Sequence, residues 1–460
     1  MRQKSEIGCG IVLMSEAGNP CPELCGSGVL FHPPFLPDFL PRSPISQIGL
    51  LFPFTVLEKM TTTIAASRER SRYRVLVICN DSDYFLRHRS YLVTHLISIG
   101  VDVTVITGGI PISADRIKGS EYIHVPIERF NFDPLGDIAL TLHTGKAIWF
   151  LKPDAIHLIT LKPAIFSGIA SAVSRFLHGY PKQILITLPG LGRMMSPTKG
   201  PSERRYPVGN ALALLALRLL ARLDCVHFSF ESKHDRDFLA SRGVANNMNS
   251  SILDGAGVDT NLFYPLENPR NASKTNVIFA SRLLKSKGLE AFLMTARELA
   301  DRPDVQFIVA GIADDRDPDA IRPEDLAQMK EIRFVGMVED MPPLLRECDL
   351  VCLPTRYGEG IPRILIEAAA TGLASIVSGH PGCREVVEDG ITGRVLSGTS
   401  DIEMSRELSS AIVGYLENPD LLKQHKQAAY RHFQSRDFNQ QACVARFVEL
   451  LGIPGLDSAK

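Results

Sequence analysis

The chain has 460 residues, more than a single hydrophobic core usually supports, so two folded domains are expected. Apolar residues make up 45% and charged residues 22% of it, which is typical of a globular protein and excludes a fibrous or disordered one. The formal net charge of −1 excludes a strong field over the whole molecule that would attract nucleic acid. The nine cysteines have no metal-binding spacing and lie mostly in apolar runs, which favours buried thiols of a cytoplasmic protein over disulfides.

Residues 1–72 are rich in Pro, Gly and Ser and show no clear period. The most apolar stretch among them carries six prolines, which would break a membrane-spanning helix. We interpret residues 1–72 as a poorly ordered N-terminal extension, or in part as sequence upstream of a true start at Met60. The alternative is an extension that binds a membrane or a partner.

From Tyr73 onward, short apolar strands alternate with helical patterns. The predicted strands of this half are RVLVIC, DVTVIT, YIHVP, AIHLIT, QILIT and VHFS. Strands separated by helices predict a parallel sheet with helices on both faces. Residues 73–250 are therefore predicted to form one Rossmann-like domain of the α/β class.

A turn-rich stretch, DGAGVDTNLFYPLENPRNASKTN, then interrupts the alternation, which restarts with NVIFAS and continues through VQFIVAG, IRFVG, DLVCLP and ASIVSG. We predict a second Rossmann-like domain over 251–430, and a C-terminal helix within 431–460 that packs back on the first domain. In open parallel sheets ligands bind beyond the carboxyl ends of the strands, so residues just after strands are the functional candidates.

The strongest motif follows the strand DLVCLP and reads TRYGEGIPRILIEAAATG. Gly358 and Gly360 free the backbone around Glu359, Pro362 suits the first helical position, and Glu367 lies about one turn inside the helix. A helix N-terminus favours an anion such as a diphosphate, and carboxylates accept hydrogen bonds from sugar and ribose hydroxyls. The alternative is a chance pair of solvated or ion-paired glutamates, which the surrounding glycines and proline disfavour.

Two cations follow the strand NVIFAS. Arg282 and Lys287 lead into the next helix and could neutralise a diphosphate, Arg through paired hydrogen bonds and Lys as a point charge. Charged loop residues are often only solvated, so the Arg282–Lys287 pair alone is a weak signal. It gains weight because an anion site is also expected at the glutamate loop.

Together these motifs resemble the donor domain of retaining glycosyltransferases of family four. The resemblance rests on GAGVDTNLFYP, the Arg282–Lys287 pair, VQFIVAG, RFVGMVEDMPPLLRECDLVCLPTRYGEGIPRILIEAAATG and HPGCREVVEDGITGRVL. It is close over residues 250 to 400 and extends in outline from residue 73. It implies the GT-B fold, in which two Rossmann-like doubly wound domains face a central cleft.

The resemblance also implies roles for residues. Arg282 and Lys287 would bind the donor diphosphate and Glu359 the transferred sugar, which makes these three the catalytic candidates. The implied donor-binding residues are Gly358, Gly360, Ile361, Pro362, Glu367, Val335 and Met337. The family implies retention of configuration, a UDP-sugar in preference to a GDP-sugar, and no metal or other cofactor.

Acceptor-side candidates lie in the first half, after predicted strands. They are His88, Arg89, Lys162, Gly190, Gly192 and Arg193. We predict that His88 and Arg89 open a helix, and that the nearby Asp81 and Asp83 form a turn or helix cap rather than a metal site.

The segments HLITLKP and LPGLGRMM resemble those of the subset of the family that extends polyprenyl-diphosphate-linked saccharides for surface polysaccharide. That subset commonly has an aromatic residue after Gly-Leu-Gly, whereas this chain has Arg193, Met194 and Met195. Cations such as Arg89, Lys162 or Arg193 would neutralise an acceptor diphosphate. The expected partners are thus a nucleotide-sugar donor and a lipid-linked or saccharide acceptor, with no nucleic acid.

The stretch from Gly200 to Arg222 combines several arginines with many Leu and Ala residues. It predicts either a peripheral contact with an anionic membrane, at the inner face of the cytoplasmic membrane, or a core helix with a basic end. Two rival functions remain at this point: a nucleotide-sugar epimerase or hydrolase on the same fold, and a non-catalytic sugar-binding assembly protein. The intact Arg–Lys and Glu–Glu pairs argue against the second.

Overall fold

The structure is a computed structural model that describes residues 72–127, 133–191, 207–267, 273–313, 317–356, 358 and 360–454. Its first sheet has seven parallel strands in the order β3-β2-β1-β4-β5-β6-β7. Their bounds are β1 Arg74–Cys79, β2 Asp102–Thr107, β3 Glu121–His124, β4 Ala155–Ile159, β5 Gln183–Leu188, β6 Val226–Phe230 and β7 Ser250–Ile252. Helices cover both faces, which explains why the central strands are almost continuously apolar.

The helices of the first half fill the connections between these strands. They are α1 Ser82–His88, α2 Ser90–Ser98, α3 Pro134–Leu151, α4 Gly168–His178, α5 Pro207–Leu220 and α6 Lys233–Ala240. Asp81 caps α1 as predicted, because its side chain accepts a hydrogen bond of 2.7 Å from the Tyr84 backbone N–H.

A second parallel sheet of six strands follows, in the order β10-β9-β8-β11-β12-β13. Its strands are β8 Thr275–Ala280, β9 Val305–Ala310, β10 Ile332–Gly336, β11 Leu350–Leu353, β12 Ala374–Ser378 and β13 Gly393–Leu396. The predicted pattern of two parallel sheets with alternating helices is confirmed.

The remaining helices pack around the second sheet or return to the first. They are α7 Leu289–Glu298, α8 Pro323–Ala327, α9 Met341–Arg346, α10 Arg363–Ala370, α11 Pro381–Arg384, α12 Asp401–Glu417, α13 Pro419–Gln434 and α14 Gln440–Leu450. Two of the predicted domain boundaries fall inside secondary-structure elements. The boundary between residues 250 and 251 lies in β7, and the boundary between residues 430 and 431 lies in α13. β7 is only three residues long, too short to show a period.

The last helix belongs to the core of the first sheet. Val444, Phe447 and Val448 of α14 are buried among residues of β1, β2 and α2. Just beyond the helix, the Leu451 carbonyl accepts a 2.7 Å hydrogen bond from the Tyr73 hydroxyl. The two ends of the described chain are thus joined in one core.

Candidate functional site

Helix α10 holds a buried carboxylate close to its start. Glu367 is 9% exposed, and the Arg363 Nε donates a 2.8 Å hydrogen bond to its Oε1. Burial raises the pKa of Glu367, and the Arg363 charge opposes that rise. The sequence predicts Pro362 as the first helical residue of α10. It is instead the N-cap, because its ψ of 117° is extended rather than helical.

The loop before α10 approaches the first domain closely. A Cβ built on Gly360 would lie 1.9 Å from the Pro189 carbonyl oxygen and 3.2 Å from Glu231 Oε2, so any larger residue would push the two backbones apart. Gly358 is half-buried and Ile361 is buried. Glu359, the predicted sugar-binding residue, lies outside the described residues.

The two predicted donor-side cations lie beside the same loop region. Lys287 is 5% exposed, and the Arg282 Nη1 is 4.0 Å from Oδ2 of the buried Asp317. Gly288 has φ +81°, and a Cβ there would lie 2.0 Å from the Pro354 carbonyl oxygen. This close approach holds the turn after β8 against the end of β11, so the cation motif and the glutamate motif are brought together.

Val335 and Met337 lie at the carboxyl end of β10. Val335 is half-buried, and the Met337 side chain is 51% exposed. β10 pairs with β9, which pairs with β8. The described donor-side candidates therefore lie at one edge of the second sheet.

His88 does not open a helix, contrary to the prediction, whereas Arg89 is the N-cap of α2. His88 is the last residue of α1, and Arg89 is the junction between α1 and α2. The His88 ring stacks on Tyr84 at a centroid distance of 4.6 Å. Helix α1 begins at Ser82, directly after the Asp81 cap, and ends at His88.

Arg89 is buried and directed into the protein. It is 1% exposed, pairs with Glu231 and lies over the Phe447 ring at 5.4 Å from the centroid. A direct contact of Arg89 with an acceptor stays a prediction; in this structure its guanidinium contacts protein groups.

Lys162 follows β4 and Gly190 follows the neighbouring β5. The Lys162 Nζ lies 3.0 Å from Asp137 Oδ1 on α3. Burial raises the pKa of Asp137, and Lys162 opposes that rise. Gly192 and Arg193 lie outside the described residues.

Two residues that the sequence analysis missed connect these elements. Glu231 directly follows β6, is 5% exposed, and lies next to Gly360 as well as Arg89. Arg363 also donates through Nη1 to the Arg87 carbonyl, so it links α10 to α1. The position of Glu231 directly after an apolar strand could have indicated it; Arg363 carried no such signal.

Among the residues that the structure describes, no three His, Cys, Asp or Glu side chains are grouped so that they could hold a metal ion. Within the same part of the chain, every helix is too short or too polar to cross a membrane.

Residues 274–418 match the protein family described as glycosyl transferases group 1. A relative from Campylobacter jejuni, N,N'-diacetylbacillosaminyl-diphospho-undecaprenol alpha-1,3-N-acetylgalactosaminyltransferase, is 26% identical over 48% of this chain and 59% of its own length. A phosphatidyl-myo-inositol mannosyltransferase from Mycolicibacterium smegmatis is 29% identical over 39% of this chain and 42% of its own length. An Escherichia coli UDP-Gal:alpha-D-GlcNAc-diphosphoundecaprenol alpha-1,3-galactosyltransferase is 25% identical over 58% of this chain and 69% of its own length. The chain thus spans roughly half the length of the first two relatives.

Solved structures match a larger share of the chain. Sucrose-phosphate synthase from Thermosynechococcus elongatus has a TM-score of 0.65 at 18% identity and covers 82% of this chain and 98% of its own. Anabaena Alr3699/HepE in complex with UDP-glucose has a TM-score of 0.62 at 18% identity and covers 82% and 99%. At this identity the likeness shows the fold. The chain therefore has the GT-B fold, and residues 274–418 form a domain of glycosyl transferases group 1.

Proposed function

We propose that the protein is a glycosyltransferase of the retaining family-four type that moves a sugar from a UDP-sugar to a lipid-linked or saccharide acceptor, in the synthesis of surface polysaccharide or another glycan. The observation that carries the proposal is the arrangement at one edge of the second sheet. There Arg282 and Lys287 lie in a turn packed against the end of β11, and Arg363 holds Glu367 about one turn inside α10. All four lie within the matched domain.

Each group has a role in this reaction. Arg282 and Lys287 stabilise the negative charge that grows on the leaving diphosphate, and the start of α10 adds backbone N–H groups. Glu367 accepts hydrogen bonds from the ribose, and Glu359 orients the transferred sugar. The departing diphosphate helps to remove the proton of the acceptor hydroxyl, so no protein nucleophile takes part.

The choice of donor and acceptor draws on relatives. The names of two relatives state that they act on diphospho-undecaprenol saccharides, and one of them names UDP-Gal as its donor. A lipid-linked acceptor would place the protein at the cytoplasmic face of a membrane.

Calorimetric titration with UDP and with GDP tests the donor site. Wild type is expected to bind UDP more tightly than GDP, and Arg282→Ala to lose about 10-fold or more in affinity, since hydrogen bonds to charged groups are the stronger kind. Arg302→Ala is the matched control, because this half-buried arginine pairs with Asp304 before β9, at the opposite edge of the sheet.

Two results would count against the proposal. Failure of folded wild type to bind either nucleotide would remove the donor site. Turnover of a UDP-sugar at the same rate with and without acceptor would favour the epimerase or hydrolase.

A further inference from the structure

Three neighbouring helices of the first domain, α3, α4 and α5, expose an unusual amount of apolar surface. Among their described residues, twelve large apolar side chains are exposed, including Phe176 at 88%. They are Leu135, Ile138, Leu142, Trp149, Phe150, Ile169, Val173, Phe176, Leu177, Leu212, Leu215 and Leu219. We call this set the three-helix face.

The spacing shows that each helix presents an apolar stripe outward. On α4 the exposed residues Ile169, Val173 and Phe176 recur every three or four positions, which places them on one side of the helix. The opposite side of α4 is buried against the protein, at Ala170 and Ser174 among others. A helix at the surface of a soluble protein is normally polar on its outer side, so the apolar outer side of α4 indicates that it contacts something apolar.

The three stripes are adjacent. The rings of Trp149 on α3 and His178 on α4 have centroids 4.5 Å apart. A Cβ on Gly168 of α4 would lie 2.8 Å from the Leu220 side chain of α5. A continuous apolar area of this kind is rare on a monomer unless it is a binding surface.

The charges on these helices indicate what the occupant is. Their sequences contain one acidic residue, Asp137, which is buried and paired with Lys162. The basic residues are Lys146, Arg175 and Arg218, and just beyond the helix ends lie the exposed Lys152, Arg222 and Asp224, two basic residues and one acidic. An apolar face with basic and no exposed acidic residues complements an anionic lipid surface.

A second copy of the chain fits this face less well. In a symmetric dimer the same surface meets itself, so the basic residues of the two copies would be brought together. Among the described residues of α3, α4 and α5, no exposed carboxylate would offset that repulsion.

We propose that the three-helix face docks on an anionic bilayer. The inference goes beyond the proposed function and does not require it, because the face would bind lipid whatever reaction the cleft performs. If the acceptor is lipid-linked, docking also brings Lys162, which contacts α3 through Asp137, near the membrane surface.

Sedimentation of the full chain with vesicles tests the proposal. Wild type is expected to bind vesicles of phosphatidylcholine with phosphatidylglycerol, and to bind pure phosphatidylcholine at least about 5-fold more weakly, because each basic residue adds attraction to anionic lipid. The double variant Phe176→Ser, Leu177→Ser should lose at least about 10-fold in binding to the mixed vesicles, since two exposed apolar groups no longer enter the lipid.

The control is Met248→Ser, which removes a side chain of the first domain that is 90% exposed but lies off the three helices. It should bind vesicles like wild type. UDP binding by every variant, measured without lipid, shows that the fold is kept and reports separately on the proposed function.

Three results would overturn the inference. One is equal vesicle binding by wild type and the double variant, which would place lipid binding in another part of the chain. Another is an equal loss for Met248→Ser. The third is a wild-type dimer that the double variant disperses, with no vesicle binding, which would make a second copy the occupant.

Discussion

Arg363 contacts both halves of the molecule through one guanidinium group. Its Nε holds Glu367, and its Nη1 donates to the Arg87 carbonyl at the end of α1. Under the proposed function, Arg363 positions the carboxylate that binds ribose. Its second contact, with the Arg87 carbonyl, links that position to helix α1 of the first domain.

Replacing Arg363 should make donor binding depend on pH. In Arg363→Gln the buried Glu367 loses its cation, so its pKa rises further above the ordinary value and more of it is protonated near neutral pH. UDP affinity should fall about 10-fold at pH 6 and recover as the pH rises, because the ionised carboxylate accepts hydrogen bonds better. Calorimetry from pH 5.5 to 8.5 measures this.

Arg333→Gln serves as the control for Arg363→Gln, because Arg333 forms an exposed pair with Glu347. It should match wild type at every pH. A loss in Arg363→Gln that stays constant with pH would show a structural role only.

The sequence indicates the candidate residues of the site, but not the distant side chains and carbonyls that contact them. Arg282, Lys287 and Glu367 were predicted because each follows a recognisable strand or glycine turn, and their roles stay predictions. The pair between Arg89 and Glu231 joins residues 142 positions apart, and the Arg363 contact with Arg87 spans 276. Such partners depend on how the sheets and domains come together, which local periodicity does not encode.

At the scale of elements, three neighbouring strands of the first sheet share a buried polar chain. His157 Nε2 on β4 lies 2.7 Å from Thr187 Oγ1 on β5, which lies 2.6 Å from Ser229 Oγ on β6. Burial, together with the smaller effect of the Arg89 charge, lowers the pKa of His157 to about 3. His157 is therefore neutral in the folded protein at moderately acid pH.

This network predicts acid sensitivity. The unfolded chain binds a proton at His157 with a pKa of about 6.5, so between about 6.5 and 3 it holds more protons than the folded state. The free energy of unfolding should fall with decreasing pH by up to about 1.4 kcal/mol per unit from this group. The free energy of unfolding, measured in urea at pH 7 and at pH 5, should differ less between the two pH values for His157→Gln than for wild type.

His95→Gln, a change on the half-buried side of α2, is the control for His157→Gln and should keep the wild-type difference. An unchanged difference in His157→Gln would assign the acid sensitivity to other groups.

The apolar strands were predictable because the period and length of each run distinguish strand from helix. The three-residue β7 was not predictable, since it depends on pairing with β6.

At the scale of the whole molecule, Gly360 sets how closely the two domains approach. Under the proposed function, Gly360→Ala should weaken UDP binding less than it slows sugar transfer, because the added Cβ displaces Pro189 of the first domain as well as the donor-side loop that contains Gly360. Sugar transfer should fall at least about 10-fold, since small displacements of reacting groups are costly. Initial rates and calorimetry on the same protein separate the two effects.

The matched control for Gly360→Ala is Gly414→Ala. A Cβ at Gly414, inside α12, would meet no atom within 4 Å. The change should raise stability by about 0.5–1 kcal/mol and leave transfer unchanged. If Gly360→Ala transferred sugar as wild type does, close approach at Pro189 would not be needed for the reaction.

The return of α14 to the first sheet affects the order in which the protein is made. Phe447 and Val448 complete a core whose other members begin at Val75, so the first sheet leaves the ribosome long before the helix that covers it. The second sheet can finish first. During synthesis the nascent first half therefore carries an uncovered apolar surface, the state in which chaperones bind and aggregation begins.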